Sequence, residues 1–380
     1  MAGRASLAFI GPEEISLSGE PEVTYFIEKY KGQTLFSSRI ETVQFNENGA
    51  QFGTVKRLTL PRSGDLITDM FLRVNFPQTS SNVLDSVGTL MFQYVELYIG
   101  SELVERLWGE YIEIKFDLEI PQAKQPGLSN LIGKNLTFSS RPNTVYTVPL
   151  PFSLFKKGLP LCAFREDISI RIAWNPSFIF TSPAVNIHEL FESNLNIEYT
   201  YISDQEIDFI RKSHIHMFEQ VQVAQFFSTS NIFSRNLEFY NPIKEMYIVI
   251  QNQAALGYDY SLSANGTPTL GTGDMLSNLE LKFNGVERIY QNVGSPIFLR
   301  IIQPLEFHTR IPDRWFYTYS FCLDPEWEIP TGAINFSRIL NQNIKLLMNQ
   351  TNANIRIYMK GYNFLDLSGD SARQVFSNYF

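Results

Sequence analysis

The run NLNIEYTYISDQEIDFIRKSHIHMFEQVQ, residues 194–222, changes its period midway, and that change constrains the whole chain. Leu195, Ile197, Tyr199 and Tyr201 alternate with Asn196, Glu198 and Thr200, which places one face of a strand inward. Ser203 followed by Glu206 then has the spacing of a capping box, and Ile207, Phe209 and Ile210 supply a short apolar stripe. About two turns of helix are expected here, with a new strand starting near His214. A strand, a short helix and a strand at mid-chain separate two β-rich halves.

The same order of elements is legible on both sides. In the first half, β structure begins at Val23, and Val55–Leu60, Ile67–Phe76 and YVELYIG (94–100) read as strands parted by turns at Phe52-Gly53 and Pro61–Asp65. After Gly100, Leu107, Tyr111, Ile114 and Leu118 follow a helical spacing that Pro121 ends. Residues 121–144 and 175–186 read as irregular, with strands at Val145 and at Ile168–Trp174. In the second half, Met246–Gln251 is a strand, 253–274 a polar loop, and Leu279, Leu281 and Phe283 alternate up to Asn284-Gly285. Ser295 and Pro296 suit the N-cap and first position of a helix that should finish before Pro304. Strands return at Tyr317–Leu323, Ile344–Met348 and Ile355–Lys360.

Strand, glycine, helix and proline thus occur at 94–121 and again at 279–304. Tyr146-Thr147 has a counterpart in Tyr317-Thr318, and Leu159–Phe164 one in Pro330–Phe336. These matches imply an internal duplication. The expected fold class is all-β: two tandem eight-stranded jelly-roll (β-sandwich) domains joined by a short helix. The expected boundaries are an N-terminal arm at 1–21, a first jelly roll at 22–203, a linker helix at 204–213, a second jelly roll at 214–366 and a C-terminal tail at 367–380.

Composition narrows the function. Aromatic residues at 14%, with 31 Phe, suit sheets packed through large flat side chains. Only 18% of residues are charged, so much of the surface must be neutral polar or covered by other protein. With 31 Lys and Arg against 39 Asp and Glu, and no basic cluster, direct nucleic-acid binding is not expected. No apolar run suits a signal-peptide core or a membrane span, so a soluble, cytosolically made protein is expected. Cys162 and Cys322 lack disulfide or metal spacing and read as buried strand residues in a reducing compartment.

Several groups invite chemistry. His214 and His216, two apart on a strand with Glu219 nearby, have the look of a cupin metal site. No glycine frames the motif and no later His matches it, while His188 and His308 are isolated, so a hinge pair satisfied by neighbouring carbonyls is the better reading. Asp324, Glu326 and Glu328 could form a carboxylate pair for glycoside hydrolysis, but read as turn and contact residues. Asn135, Asn265, Asn335 and Asn349 lie in Asn-x-Ser/Thr sequons that so Asn-rich a chain produces by chance. Catalytic, cofactor-binding and metal-ligating residues are therefore all expected to be none.

A family resemblance agrees with this reading. LELKFNGVER (279–288) followed by YSFCLDPEWEIPTGAINFSRILN (319–341) resembles the double jelly-roll major capsid proteins of nucleocytoplasmic large DNA viruses, with Pro330, Gly332, Asn335, Phe336, Ser337 and Arg338 as the core of the motif. FGTVKRLTLPRSGDLITDMFLRVNFP (52–77), YVELYIG, YTVPLPFSLFKKGLPLCAFREDISIRI (146–172), the mid-chain helix with HIHMFEQVQ and the tail Gly369–Asn378 follow in the family's order. In Pro330–Ala333, proline fixes φ and glycine permits positive φ, so a tight turn is expected, tied down by Asn335, Ser337 and Arg338.

The resemblance implies a structural, non-enzymatic protein. Homotrimers would form pseudo-hexameric capsomers that tile an icosahedral shell. Its partners would be itself and neighbouring capsomers, minor capsid and penton proteins, and an inner viral membrane. It would be made and assembled in the host cytoplasm and reside in the virion. The loops at 121–144 and 253–274 would lie at the outer or trimer-facing end, and residues 1–21 on the inner side. The rivals are a minor capsid or scaffold protein of the same fold and a cupin-like carbohydrate-binding β-sandwich.

Overall fold

Among the described residues, each half of the chain lays down eight main strands in the same order, besides shorter ones. The computed structural model describes residues 33–45, 49–135, 139–212, 215–262, 273–368 and 371–376. The expected arm at 1–21, the β onset at Val23, His214, Asn265, residues 263–272 of the 253–274 loop, and 369–370 and 377–380 of the tail lie outside them.

The first half contains β1 (Phe36–Gln44), β2 (Val55–Thr59), β3 (Leu66–Asn75), β4 (Phe92–Ile99), β5 (Glu102–Trp108), β6 (Val145–Pro149), β7 (Ile168–Trp174) and β8 (Ser193–Ile202). They pair antiparallel as β1-β8-β3-β6 and β2-β7-β4-β5. The second half contains β9 (Ile215–Ser228), β10 (Ile232–Leu237), β11 (Pro242–Asn252), β12 (Leu276–Phe283), β13 (Val286–Ile289), β14 (Tyr317–Ser320), β15 (Gln342–Met348) and β16 (Ala353–Asp366). Their order is β9-β16-β11-β14 and β10-β15-β12-β13. Both halves are jelly rolls, and each strand of the first has its counterpart eight strands later.

Four helices matter here: α1 (Gly109–Glu119), α2 (Gln125–Ile132), α3 (Asp204–Lys212) and α4 (residues 296–307). α1 starts where the chain has glycine for a steric reason. A Cβ at Gly109 would stand 2.3 Å from the Thr89 carbonyl oxygen. α3 lies between the two sets of strands, and Ser203 receives the N–H of Glu206 at 3.0 Å on its carbonyl oxygen. The Ser203 hydroxyl meets the Glu206 carboxylate rather than a backbone N–H, so the expected capping box forms only in part.

Four local expectations need correction. The helix expected from Leu107 starts two residues later, because Gly100 (φ 58°) turns the chain straight back and Glu102–Trp108 pairs with β4. The loop expected at 121–144 contains α2, whose Leu128 and Ile132 are buried and whose C-cap is Gly133 at φ 75°. α4 does not stop before Pro304: a wide π turn at Phe298–Ile302 precedes it, relieving the clash of the proline ring with the preceding turn, and the helix runs on to Phe307. Neither cysteine lies in a strand. Cys162 is half-buried in a 3-10 turn, and Cys322 is buried in the bend after β14.

Matched irregularities fix the alignment of the halves. The β3–β8 pairing skips Thr68, and the β11–β16 pairing skips Lys244. Placing one bulge on the other makes Asp69 equivalent to Glu245, Glu198 to Lys360 and Ile40 to Val221. Val148-Pro149 then matches Tyr317-Thr318, two residues from the pairing expected by eye. Leu159–Pro160 and Ile334–Asn335 add short strands at the same rungs of β3 and β11, so that correspondence holds in place, with Leu161 rather than Phe164 opposite Phe336.

The second sandwich fills its interior with Met246, Ile248, Ile250, Leu281, Ile344 and Ile357. The residues between them on the same strands, Tyr247, Val249 and Tyr358, join the apolar cluster of the first half. One sheet of the second jelly roll is therefore buried on both faces.

Candidate functional site: a covered sheet and a bare one

The buried outer face of β9-β16-β11-β14 carries Glu219 and Val221, Arg356, Tyr358 and Lys360, and Glu245, Tyr247 and Val249. α1 lies across it. Its sequence GEYIEIKFDLE sets Glu110, Glu113 and Asp117 three and four apart, so they recur along the helix, and the intervening apolar residues are buried too. Glu110 accepts both the Nε of Arg356 (2.6 Å) and its Nη2 (2.7 Å), with the hydroxyls of Tyr358 (2.6 Å) and Tyr260 (2.8 Å). Glu119 accepts Lys360 Nζ at 3.0 Å, and the Tyr111 ring sits 5.9 Å from that of Tyr247.

Along the same helix, Arg314 donates its Nε to Glu113 (2.9 Å) and its Nη2 to Asp85 (2.8 Å), while its backbone N–H reaches Asp117. Lys134 and Arg310 complete Asp117 at 2.8 and 3.0 Å. Burial opposes ionisation of Glu113 and Asp117, but these cations outweigh it and hold both carboxyls below the usual range. Burial likewise opposes ionisation of Glu219, which Lys360 and Lys244 nonetheless bring down to about 2. Such a network adds little over an apolar contact but is costly to break, so it fixes one arrangement of the two jelly rolls.

Next to α1, the short helix Ser153–Lys156 packs against β9: Ser153 Oγ donates to the Glu219 carbonyl and accepts the Glu219 N–H, each at 3.0 Å. Phe152 and Leu154 beside it are buried.

Among the described residues, no helix covers the equivalent face of the first jelly roll, on β1-β8-β3-β6, and its β1 side chains are exposed. Ile40 is 62% exposed, whereas its counterpart Val221 is 3% exposed. Asn194, Asn196 and Glu198 stand where the second half has Arg356, Tyr358 and Lys360, and Asp69, Phe71 and Arg73 where it has Glu245, Tyr247 and Val249. The face is thereby turned from basic and aromatic to acidic and amide-rich. Partial burial, then the adjacent Glu198, raises the Asp69 carboxyl above its ordinary value.

The covering elements of the second jelly roll are equally unoccupied. α4 occupies the place of α1 in the strand order but exposes Ile297, Ile302 and Leu305. In the loop after β14, the register makes Phe321, Cys322 and Leu323 equivalent to Phe152, Ser153 and Leu154, and here Leu323 is 80% exposed. That loop is held rigidly. Asp324 Oδ1 accepts the N–H groups of Glu326 and Trp327, Thr331 bonds Asp324 in both directions, and Lys360 Nζ donates to the Pro325 carbonyl. His308, at the end of α4, bridges Glu326 (3.0 Å) and Glu245 (2.5 Å). Burial disfavours the imidazolium, yet the two carboxylates raise it to about 9.

Known proteins share this fold. Residues 24–209 match the family described as "Major capsid protein N-terminus", and residues 206–372 match "Large eukaryotic DNA virus major capsid protein". The chain belongs to the major capsid proteins of large eukaryotic DNA viruses. It is 25% identical to the major capsid protein of Pyramimonas orientalis virus, with 99% of each chain covered. It is 24% identical to that of Paramecium bursaria Chlorella virus 1, covering 90% of this chain and 86% of the relative. Among solved structures, the quasi-atomic PBCV-1 virus capsid aligns with a TM-score of 0.80 at 20% identity, over 93% of this chain and all of the other. The Faustovirus major capsid protein aligns at 0.75 with 12% identity, over 97% and 96%. The fold is the double jelly roll of capsid proteins, and the chain is a structural virion component.

For this capsid protein, the groups singled out in the sequence scatter. Glu219 binds Lys244 and Lys360, His216 is half-buried on β9, and among the described residues no cluster of three or more His, Cys, Asp or Glu could hold a metal. Asp324 and Glu326 serve the loop as turn and contact residues, as the sequence suggested. Gly332 takes φ 141°, Asn335 caps the N–H of Ser337, and Ser337 Oγ accepts the N–H of Asn241 at the start of β11. Arg338 is exposed instead of tying the turn. Sequence reasoning missed Glu110, Glu113, Asp117, Arg314, Arg356 and Lys360. Their only signal was charge inside segments that otherwise read as buried.

Proposed function

We propose that this protein self-assembles head to tail into a homotrimeric, pseudo-hexameric capsomer that tiles an icosahedral shell. The observation that carries the reading is the unequal use of duplicated parts. Within one chain, α1 and the Ser153 helix cover the sheet of the second jelly roll. α4, the Leu323 loop and the first jelly roll's sheet are left uncovered. A second copy can repeat the internal junction by laying its bare sheet on the first copy's α4. Such a heterologous contact extends until it closes, and closure after three chains gives six jelly rolls around an axis. The near-sixfold outline suits flat packing with neighbouring capsomers.

In this reading the chain divides into jelly rolls at 22–203 and 214–366, with 204–213 as linker, 1–21 as an inner arm and 367–380 as tail. Minor capsid and penton proteins and an inner membrane are its further neighbours, and synthesis and assembly take place in the host cytoplasm. The relatives' printed names as capsid proteins support a role in the shell.

The test is the native mass of the purified chain, with electron microscopy of the same peak. One chain is 43.7 kDa, so a trimer is about 131 kDa. That mass with hexagonal outlines is expected. A monomer at all concentrations overturns the reading.

A further inference from the structure

The uncovered end of the second jelly roll holds a pocket of about 310 Å³ between α4 and the loop after β14. Phe298 and Phe307 of α4, Tyr319 of β14, Phe321 and Leu323 of the loop, and the exposed Arg288 at its edge form the walls. We propose that Phe36 of a second copy of this chain fills this pocket. The inference rests on the head-to-tail reading above and assigns the side chain that seats it.

The argument comes from the filled version of the same site inside the chain. In the first jelly roll, the segment equivalent to the pocket's loop is Phe152–Leu154, and β9 lies against it. Only about 20 Å³ of space is left between Ser153, Lys156 and Met217 there. Met217, Phe218 and Glu219 of β9 form one wall of that gap, and Ser153 Oγ bonds both backbone groups of Glu219 beside it.

The paired bulges carry this correspondence to β1. Val221 pairs with Lys360 as Ile40 pairs with Glu198, so Met217 corresponds to Phe36 and Glu219 to Ser38. Phe36, Ser38 and Ile40 share the bare outer face, and Phe36 is 66% exposed. A large apolar side chain thus stands in solvent where its counterpart Met217 is half-buried beside the Ser153 helix, and an aromatic pocket stands open where the equivalent segment lies under β9.

Charge agrees. The face that bears Phe36 carries Asp69 and Glu198, adjacent across β3 and β8. Arg288, at the rim of the pocket, is a cation able to meet them. In the internal junction Glu110 and Glu119 of the helix meet Arg356 and Lys360 of the sheet.

The experiment is disulfide trapping between Phe36→Cys and Leu323→Cys in a chain that also carries Cys162→Ser and Cys322→Ser. Phe36 and Leu323 are both exposed, so the isolated fold should tolerate the changes. After mild oxidation, denaturing electrophoresis should show covalent dimers and trimers for the double-cysteine chain and none for either single. In parallel, Phe36→Ala should weaken association by at least about tenfold, the loss expected for one buried aromatic anchor.

Trimers by native mass with no covalent product, and Phe36→Ala associating like the parent, would overturn the pocket assignment and leave the head-to-tail reading standing. A ladder that stops at the dimer would mean a reciprocal twofold contact and overturn the assignment. A parent chain that stays monomeric would remove both.

Discussion

α1 and α4 occupy the same place in two copies of one fold, yet α1 is buried along its length and α4 shows three large apolar side chains to solvent. The sheets beneath them differ in the same sense, as Val221 and Ile40 illustrate. Of the two equivalent sheets and two equivalent helices, the chain's own folding joins one of each; under the proposed head-to-tail assembly the remaining pair would join separate molecules. The difference lies in chemistry as well as coverage. The internal junction is locked by buried ion pairs that form once, on folding. The exposed sheet instead carries Phe36 and Ile40 beside Asp69 and Glu198, which no cation among the described residues locks in place as Arg356 and Lys360 are locked.

The largest test of this contrast is a pair of charge reversals at equivalent positions. Lys360→Glu puts a third carboxylate beside Glu119 and Glu219, and the protein should fail to accumulate folded. Glu198→Lys, at the matching place on the bare sheet, should melt like the parent, as soluble yield and thermal denaturation will record.

Next, Arg314→Met leaves Asp85 buried without Arg314 and Glu113 with Lys134 as its remaining cation. It should cost about 3–5 kcal/mol by urea titration, the usual penalty for breaking a buried pair. His308 gives a pH test of the clamp between α4 and its loop. Its folded pKa of about 9 lies above its ordinary value, so its stabilisation is complete below the ordinary histidine pKa and is lost as pH rises through 9. The loss should approach about 3 kcal/mol in denaturant titrations across that range.

On the external side, Ile302→Asp with Leu305→Asp should change the stability of the isolated chain by no more than about 0.5 kcal/mol, yet reduce the native mass to that of a monomer. The smallest effect is expected from deleting residues 2–20, which should leave trimers intact and impair only higher assembly. Monomers from that deletion would make the arm part of the trimer.

Much of this fold can be read from one sequence because strand alternation and turn residues are local. Ile168–Trp174 alternates cleanly and forms β7 over those same residues, and Asn284-Gly285 takes the positive φ of a hairpin turn. Ser295-Pro296 marks the start of α4 correctly. Errors fell where distant packing overrode a local rule. Leu107 fits a helical period but is drawn into β5 by pairing with Val95, and Pro304 is tolerated because the preceding turn widens. The assembly surfaces were less legible. Nothing adjacent in sequence tells Val221 from Ile40, since each is an aliphatic residue on a β-strand.

The sequence by itself determined that there are two jelly rolls, their order, the helix between them and membership of a capsid family. These follow from periodicity, turn chemistry and motif order along the chain. Only the tertiary structure decided which face of each jelly roll is covered. That choice depends on residues more than two hundred positions apart, such as Glu110 with Arg356 and Glu113 with Arg314, meeting in a dry interface. Burial gives a charge its partner and leaves an identical fold elsewhere with an open face, and burial is a property of the folded whole.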